Sequence, residues 1–195
     1  MFDVTTVGAD SAIVTSSSGL KITLDEIQSD QNLNSFIAKH QSSAPVLDFS
    51  SIPGASVAAT VELAREADNN SVVGFYRVLD SSGSVRDPLT GLSVSPGDAS
   101  YAEKALLSNN LVTELAGLTV ADDQTSSTPY TIEETSIIAP YAVVNETDTY
   151  FAFGAANSDG YDHFKSLGLN TFGLEDLNGG GDKDNDDMII RFDFV

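Results

Sequence analysis

Glu175 and Asp176 stand shortly before three consecutive glycines, Gly179 to Gly181, and the run Asp182, Lys183, Asp184, Asn185, Asp186, Asp187 follows directly. Counting back to Asp176, five carboxylates lie within seven residues of Gly180 and Gly181. Side chains so close together repel one another unless a cation takes up their charge. Glycine lets the backbone curl so that alternate carboxylates turn inward. The chemistry this implies is capture of a hard divalent cation: Ca²⁺ takes about six to eight oxygen ligands from carboxylates, carbonyls and water, at about 2.3–2.6 Å. Asp182, Asp184 and either Asp186 or Asp187 are therefore expected to ligate one Ca²⁺. Glu175 or Asp176 would reach across the glycine turn, and carbonyls between Leu177 and Gly181 would complete the shell.

The EF-hand loop is a useful comparison. With Asp182 at its first position, Asp184 and Asp186 fall at the third and fifth. Asp187 then stands where the sharp turn needs glycine, and Asp193 stands where glutamate closes the shell. Beyond the loop, Met188, Ile190, Phe192 and Phe194 alternate with Ile189, Arg191, Asp193 and Val195, which is the period of a strand and not of a helix. The spacing predicts a glycine-opened loop that feeds a terminal strand.

A second group of oxygens is offered by Asn157, Asp159 and Asp162 around Gly160. It reads either as a further cation site held beside the terminal loop or as an ordinary turn, since Asn, Asp and Gly favour turns through local hydrogen bonds. His163 follows it. Calcium has little use for imidazole, so this histidine is expected to pack and hydrogen-bond. Catalysis finds no support. Glu133 and Glu134 are adjacent and point to opposite faces of a strand, and no nucleophile elbow, zinc-helix motif or phosphate loop occurs. No enzyme activity is expected.

The segment from Thr149 to Phe192, above all N-T-F-G-L-E-D-L-N-G-G-G-D-K-D-N-D-D-M-I-I from Asn170, resembles the bacterial DUF4114 family. That family ends in F-G-F-E-D-L-x-G-G-G-D-x-D-F-N-D followed by a hydrophobic strand. Further upstream, Gly74 to Asp80, Gly83 to Asp87, Thr90–Gly91 and Pro96 to Ala102 are similar to a stretch that often precedes it. The family has no assigned function and occurs in large secreted or surface proteins, often beside calcium-binding RTX repeats. The resemblance thus implies an extracellular or cell-surface location and calcium. Two positions depart from the pattern: Asn185 stands where an aromatic is usual, and Asp186, where asparagine is usual, adds a charged ligand.

Composition fits that setting. The chain has 195 residues, 29 acidic against 9 basic, a formal charge of −20, and a hydrophobic content of 41%, enough for a substantial core. Such charge argues against nucleic acid and anionic membrane surfaces. Cysteine is absent, which excludes disulfides and thiolate metal sites. No apolar run approaches the ~20 residues of a membrane-spanning helix. The opening Met1 to Asp10 is acidic and mixed, so the expectation is a fragment behind an added methionine or an export signal elsewhere.

The elements that must hold the loop read mainly as strands. Val57, Ala59, Val61 and Leu63 alternate with small and polar residues, and Val72 to Leu79 follows Asp68-Asn69-Asn70, so the pair is expected to form a hairpin. Strands are also expected at Thr128 to Ile138, Tyr141 to Val144, Tyr150 to Ala156 and Met188 to Phe194. A short helix is expected within Asp98 to Thr113, after the Pro96-Gly97-Asp98 entry, and a second within Leu24 to His40. The fold class is all-β, a β-sandwich of jelly-roll type with one or two short helices. Residues 1–45 read as an arm or edge segment integrated into the domain, and 46–195 as the sandwich, with the DUF4114-like part at about 145–195.

Two functions fit. One is a calcium-binding structural or adhesive module of a secreted assembly such as a surface layer, fibre or large adhesin. Its partners would be other copies or domains, joined by strand exchange through runs such as Ala12-Ile13-Val14 and Leu20 to Leu24. The other is a calcium-dependent, lectin-like module for glycans, with six tyrosines and ten phenylalanines for stacking but no tryptophan.

Overall fold

The computed structural model describes residues 2–6, 11–16, 21–25, 44–50, 52, 56–168 and 170–195. Strands β1 (Phe2–Thr6), β2 (Ser11–Ser16) and β3 (Lys21–Asp25) form an antiparallel three-stranded sheet. In it the two apolar runs of the N-terminal segment pair with each other, Ala12 opposite Leu24 and Val14 opposite Ile22. Leu24 and Asp25 thus belong to a strand, and the remainder of the helix expected up to His40 lies outside the described residues.

The remaining strands are β4 (Leu47–Asp48), β5 (Val57–Arg65), β6 (Ser71–Val78), β7 (Val85–Arg86), β8 (Ser93–Val94), β9 (Leu111–Val112), β10 (Gln124–Ile132), β11 (Ile137–Val144), β12 (Asp148–Phe151), β13 (Phe164–Gly168), β14 (Thr171–Leu174) and β15 (Met188–Phe194). One sheet runs β10-β5-β15-β14-β13. The other runs β12-β11-β6-β9, with β4 also pairing β11. They face each other as a sandwich: Val57, Val61 and Leu63 of β5, Phe172 of β14 and Ile190, Phe192 and Phe194 of β15 share one core with Val73 and Phe75 of β6 and Ala142 and Val144 of β11. Phe75 meets Phe192 edge-on across it, ring centroids 5.4 Å apart. The connections β5–β6, β9–β10, β10–β11 and β12–β13 cross between the sheets in the jelly-roll manner.

The hairpin expected of β5 and β6 does not form, because the strands belong to opposite sheets. Their polar connection is a crossover held by Arg65, whose guanidinium donates to the carbonyls of Val120 at 3.1 Å, Ala67 at 3.2 Å and Asn69. β6 is buried on both faces. Its Tyr76 and Val78 join a second core with Val85, Tyr101, Ala105 and Phe151, which closes the outer side of that sheet.

The helix α1 (Tyr101–Ala105) falls inside the expected stretch but is short. The Asp98 carboxylate takes the Ser95 N–H at 2.8 Å and so shapes the turn before it, while Ser100 is the N-cap. The single strand expected at Thr128 to Ile138 is two, broken where the Glu134 carboxylate gathers the N–H groups of Thr135 and Ser136 and pairs with Arg77 Nε at 2.6 Å. The strand expected at Tyr150 to Ala156 stops at Phe151, because the Asn157 side chain takes up both the N–H and the carbonyl of Phe151 and folds the chain back. β15 has the expected bounds. Among the described residues, no helix is long and apolar enough to cross a membrane.

Candidate metal centre

The acidic loop spans the gap between β14 and β15, two adjacent strands, and folds back over the sheet. Gly179, Gly180 and Gly181 all have positive φ, as do Lys183 at 70° and Asn185 at 61°. These left-handed residues alternate with Asp182, Asp184 and Asp186, so the backbone winds tightly with acidic side chains at every second position. Gly173 in β14 makes the packing possible: a Cβ there would lie 2.2 Å from the Asn185 carbonyl oxygen. Asn185 is 2% exposed.

Within this loop Glu175, Asp182 and Asp184 each present a carboxylate oxygen, and the three oxygens lie within 4.8 Å of one another. Asp182 and Asp184 are exposed, whereas Glu175 is 1% exposed. Its Oε2 accepts the Lys183 N–H at 2.9 Å, while its Oε1 is buried with no hydrogen-bonding partner among the described residues. A buried carboxylate oxygen left unpaired costs free energy unless something positive meets it. A divalent cation held by Glu175, Asp182 and Asp184 would relieve the repulsion among the three.

Asp176 and Asp187 are engaged elsewhere. Asp176 is buried and turns toward the second sheet, where it accepts from Ser71 Oγ at 2.7 Å and Asn69 Nδ2 at 2.9 Å. Asp187 accepts the Asp176 N–H at 2.7 Å. Its carboxyl is pushed up to about 7, first by burial and then by the charges of Asp176, Glu175 and Asp184, against the lowering effect of that N–H. Asp186 is exposed, and its carboxyl is raised chiefly by a hydrogen bond with the Asp184 carboxylate. The loop borders a cleft of about 520 Å³ whose walls carry Glu66, Asp68, Asp122, Asp123, Asp176 and Asp187.

Asn157, Asp159 and Asp162 do not join the three-carboxylate group. Asn157 is spent on Phe151 and on the Tyr161 carbonyl, and Asp162 Oδ1 accepts the Gly154 N–H at 2.8 Å. Asp159 takes the N–H groups of Tyr161 and Gly179. His163 is fully buried and hydrogen-bonded at both ring nitrogens. Sequence reasoning passed over Gly173, Asn69 and Ser71. Gly173 alone left a signal, since a glycine inside a strand marks close approach of another backbone.

The loop sequence and its place before the last strand agree with the family comparison. Residues 114–195 match the family model described as "Domain of unknown function (DUF4114)". This part of the chain resembles a DUF4114 domain. The match begins within the short 3₁₀ helix Thr113–Leu115 and covers β10 to β15, reaching further upstream than the expected start near 145. The DUF4114 segment does not close the sandwich alone, because β5 lies between its β10 and β15, and β6 pairs with its β11. Comparison with curated proteins and with solved structures returns no match.

Proposed function

We propose that the chain is a calcium-binding structural module of a secreted or surface-exposed bacterial assembly, in which Ca²⁺ bound by Glu175, Asp182 and Asp184 locks the last strand into the sandwich. The observation that carries this reading is the buried Glu175, whose Oε1 has no hydrogen-bonding partner among the described residues and whose carboxylate is grouped with two further carboxylates. Three negative ligands in a glycine-opened loop suit a hard cation, and backbone carbonyls and water would complete its shell. The acidic cleft beside the loop adds a field that concentrates cations. No pair of acids, nucleophile or base is needed for this role.

The cation would act on the fold through β15, whose Phe192 and Phe194 fill the core between the sheets. The assembly partner proposed is another copy or domain of the same surface structure. Calorimetry tests the cation directly. Binding of Ca²⁺ is expected in the wild type and is expected to vanish in Asp184→Ala; heat of binding absent at millimolar Ca²⁺ refutes the reading.

A further inference from the structure

We propose that Asp159 and His163 hold the cation loop in its binding shape without touching the cation, a proposal that rests on the reading of the Glu175 site above. Asp159 has the chemistry of a ligand, but its carboxylate is already committed. Its Oδ1 accepts the Tyr161 N–H at 3.0 Å; its Oδ2 accepts the Gly179 N–H at 2.7 Å and lies 2.9 Å from His163 Nε2. His163 Nδ1 in turn donates to the Glu175 carbonyl at 2.5 Å, and the Glu175 N–H donates back to the His163 carbonyl at 2.8 Å.

One turn therefore fixes two points of the loop. The first is Glu175, which carries the buried ligand oxygen. The second is Gly179, where the glycine turn begins. The clamp is itself held in place: the His163 ring stacks on Tyr150 with centroids 3.5 Å apart and meets Tyr161 edge-on at 5.2 Å. Tyr161 lies against Gly180 so closely that a Cβ on that glycine would sit 2.3 Å from the ring. Carboxylates that repel one another spread apart unless the backbone beneath them is fixed, so these contacts supply the preorganisation that the ligands cannot supply for themselves. Groups that orient metal ligands from outside the coordination shell cost about 10–100-fold in affinity when removed.

The test uses the full chain as wild type, Asp159→Ala and Asp159→Asn, titrated with Ca²⁺ and with Tb³⁺. Tb³⁺ luminescence lifetimes in H₂O and D₂O count the waters on the bound ion, and amide exchange without cation follows Gly179. Asparagine keeps an acceptor for the Tyr161 N–H but places an NH₂ where Oδ2 accepts from Gly179, so it breaks the clamp even where alanine impairs folding. Both variants are expected to bind about 10–100-fold more weakly, with an unchanged water count on Tb³⁺ and a Gly179 amide that exchanges faster before any cation is added. Asp162→Asn, a charge loss in the same turn, is expected to leave affinity unchanged. An extra water on Tb³⁺ in the Asp159 variants would make Asp159 a ligand and overturn the proposal, and so would unchanged affinity. A wild type that binds neither ion overturns the cation reading and this proposal together.

Discussion

Replacing Glu175 with glutamine is expected to raise the stability of the cation-free protein and to remove the stabilisation that Ca²⁺ confers. Glu175 is 1% exposed, and one of its carboxylate oxygens lies within 4.8 Å of one each from Asp182 and Asp184. Two like charges at that separation repel by about 1 kcal/mol at the dielectric of water and by about 3 kcal/mol at an effective value of about 20. Asp182 and Asp184 are exposed, so the lower figure governs each pair, and the Lys183 N–H on Oε2 offsets part of the total. A glutamine amide in the same position also donates to the neighbouring carboxylates. The net gain is about 1 kcal/mol, or a rise in Tm of about 2–4 °C for a chain of this size. With Ca²⁺ at a hundred times its Kd the wild type gains about 2.7 kcal/mol that the variant lacks. The order of the two melting temperatures therefore reverses between chelator and Ca²⁺. Thermal unfolding in both conditions is the assay, and a variant that melts below the wild type in chelator as well refutes the electrostatic argument.

Three further outcomes are expected. Because Asp187 in the fold is pushed up to about 7, while an unfolded chain has the ordinary value of about 4, the folded state binds the extra proton. Its contribution to cation-free stability is present below about pH 4 and is lost as pH rises to about 7. Urea midpoints measured across that window should fall, and Asp187→Asn should flatten the fall; an equal slope in the variant assigns the effect elsewhere. Gly173→Ala puts a Cβ 2.2 Å from the Asn185 carbonyl oxygen and 2.8 Å from Leu167 Cδ1, so it should cost about 1–3 kcal/mol and weaken Ca²⁺ binding, as read by urea unfolding and calorimetry. Light scattering during Ca²⁺ titration should show association of the full chain but not of one lacking residues 1–25. A full chain that stays monomeric rejects the assembly role, and equal association of the shortened chain rejects the arm as its means.

Much of the strand content was legible because a half-buried strand carries its signature in its own residues. Alternation along Val57 to Leu63 and Met188 to Phe194 yields β5 and β15, whose inward side chains enter the core as the period of two requires. Pairing was not legible. The turn chemistry of Asp68-Asn69-Asn70 suits a hairpin and a crossover equally well, and the crossover that forms is held by Arg65, which reaches the Val120 carbonyl across the fold. Interruptions were hidden for the same reason: Glu134 ends a strand through its own turn and through Arg77, and nothing in the apolar pattern announces that contact.

The candidate site divides along the same line. The sequence by itself determined that carboxylates would crowd around a glycine turn ahead of a terminal strand, since crowding and backbone freedom are properties of neighbouring residues. Only the tertiary structure decided which carboxylates converge. Asp176 and Glu175 are adjacent and chemically alike, yet Asp176 accepts from Ser71 and Asn69, whereas Glu175 groups with Asp182 and Asp184. Asp159 is diverted likewise by Gly179 and His163. A carboxylate turns toward whichever donors the fold brings within reach, and those donors belong to distant parts of the chain.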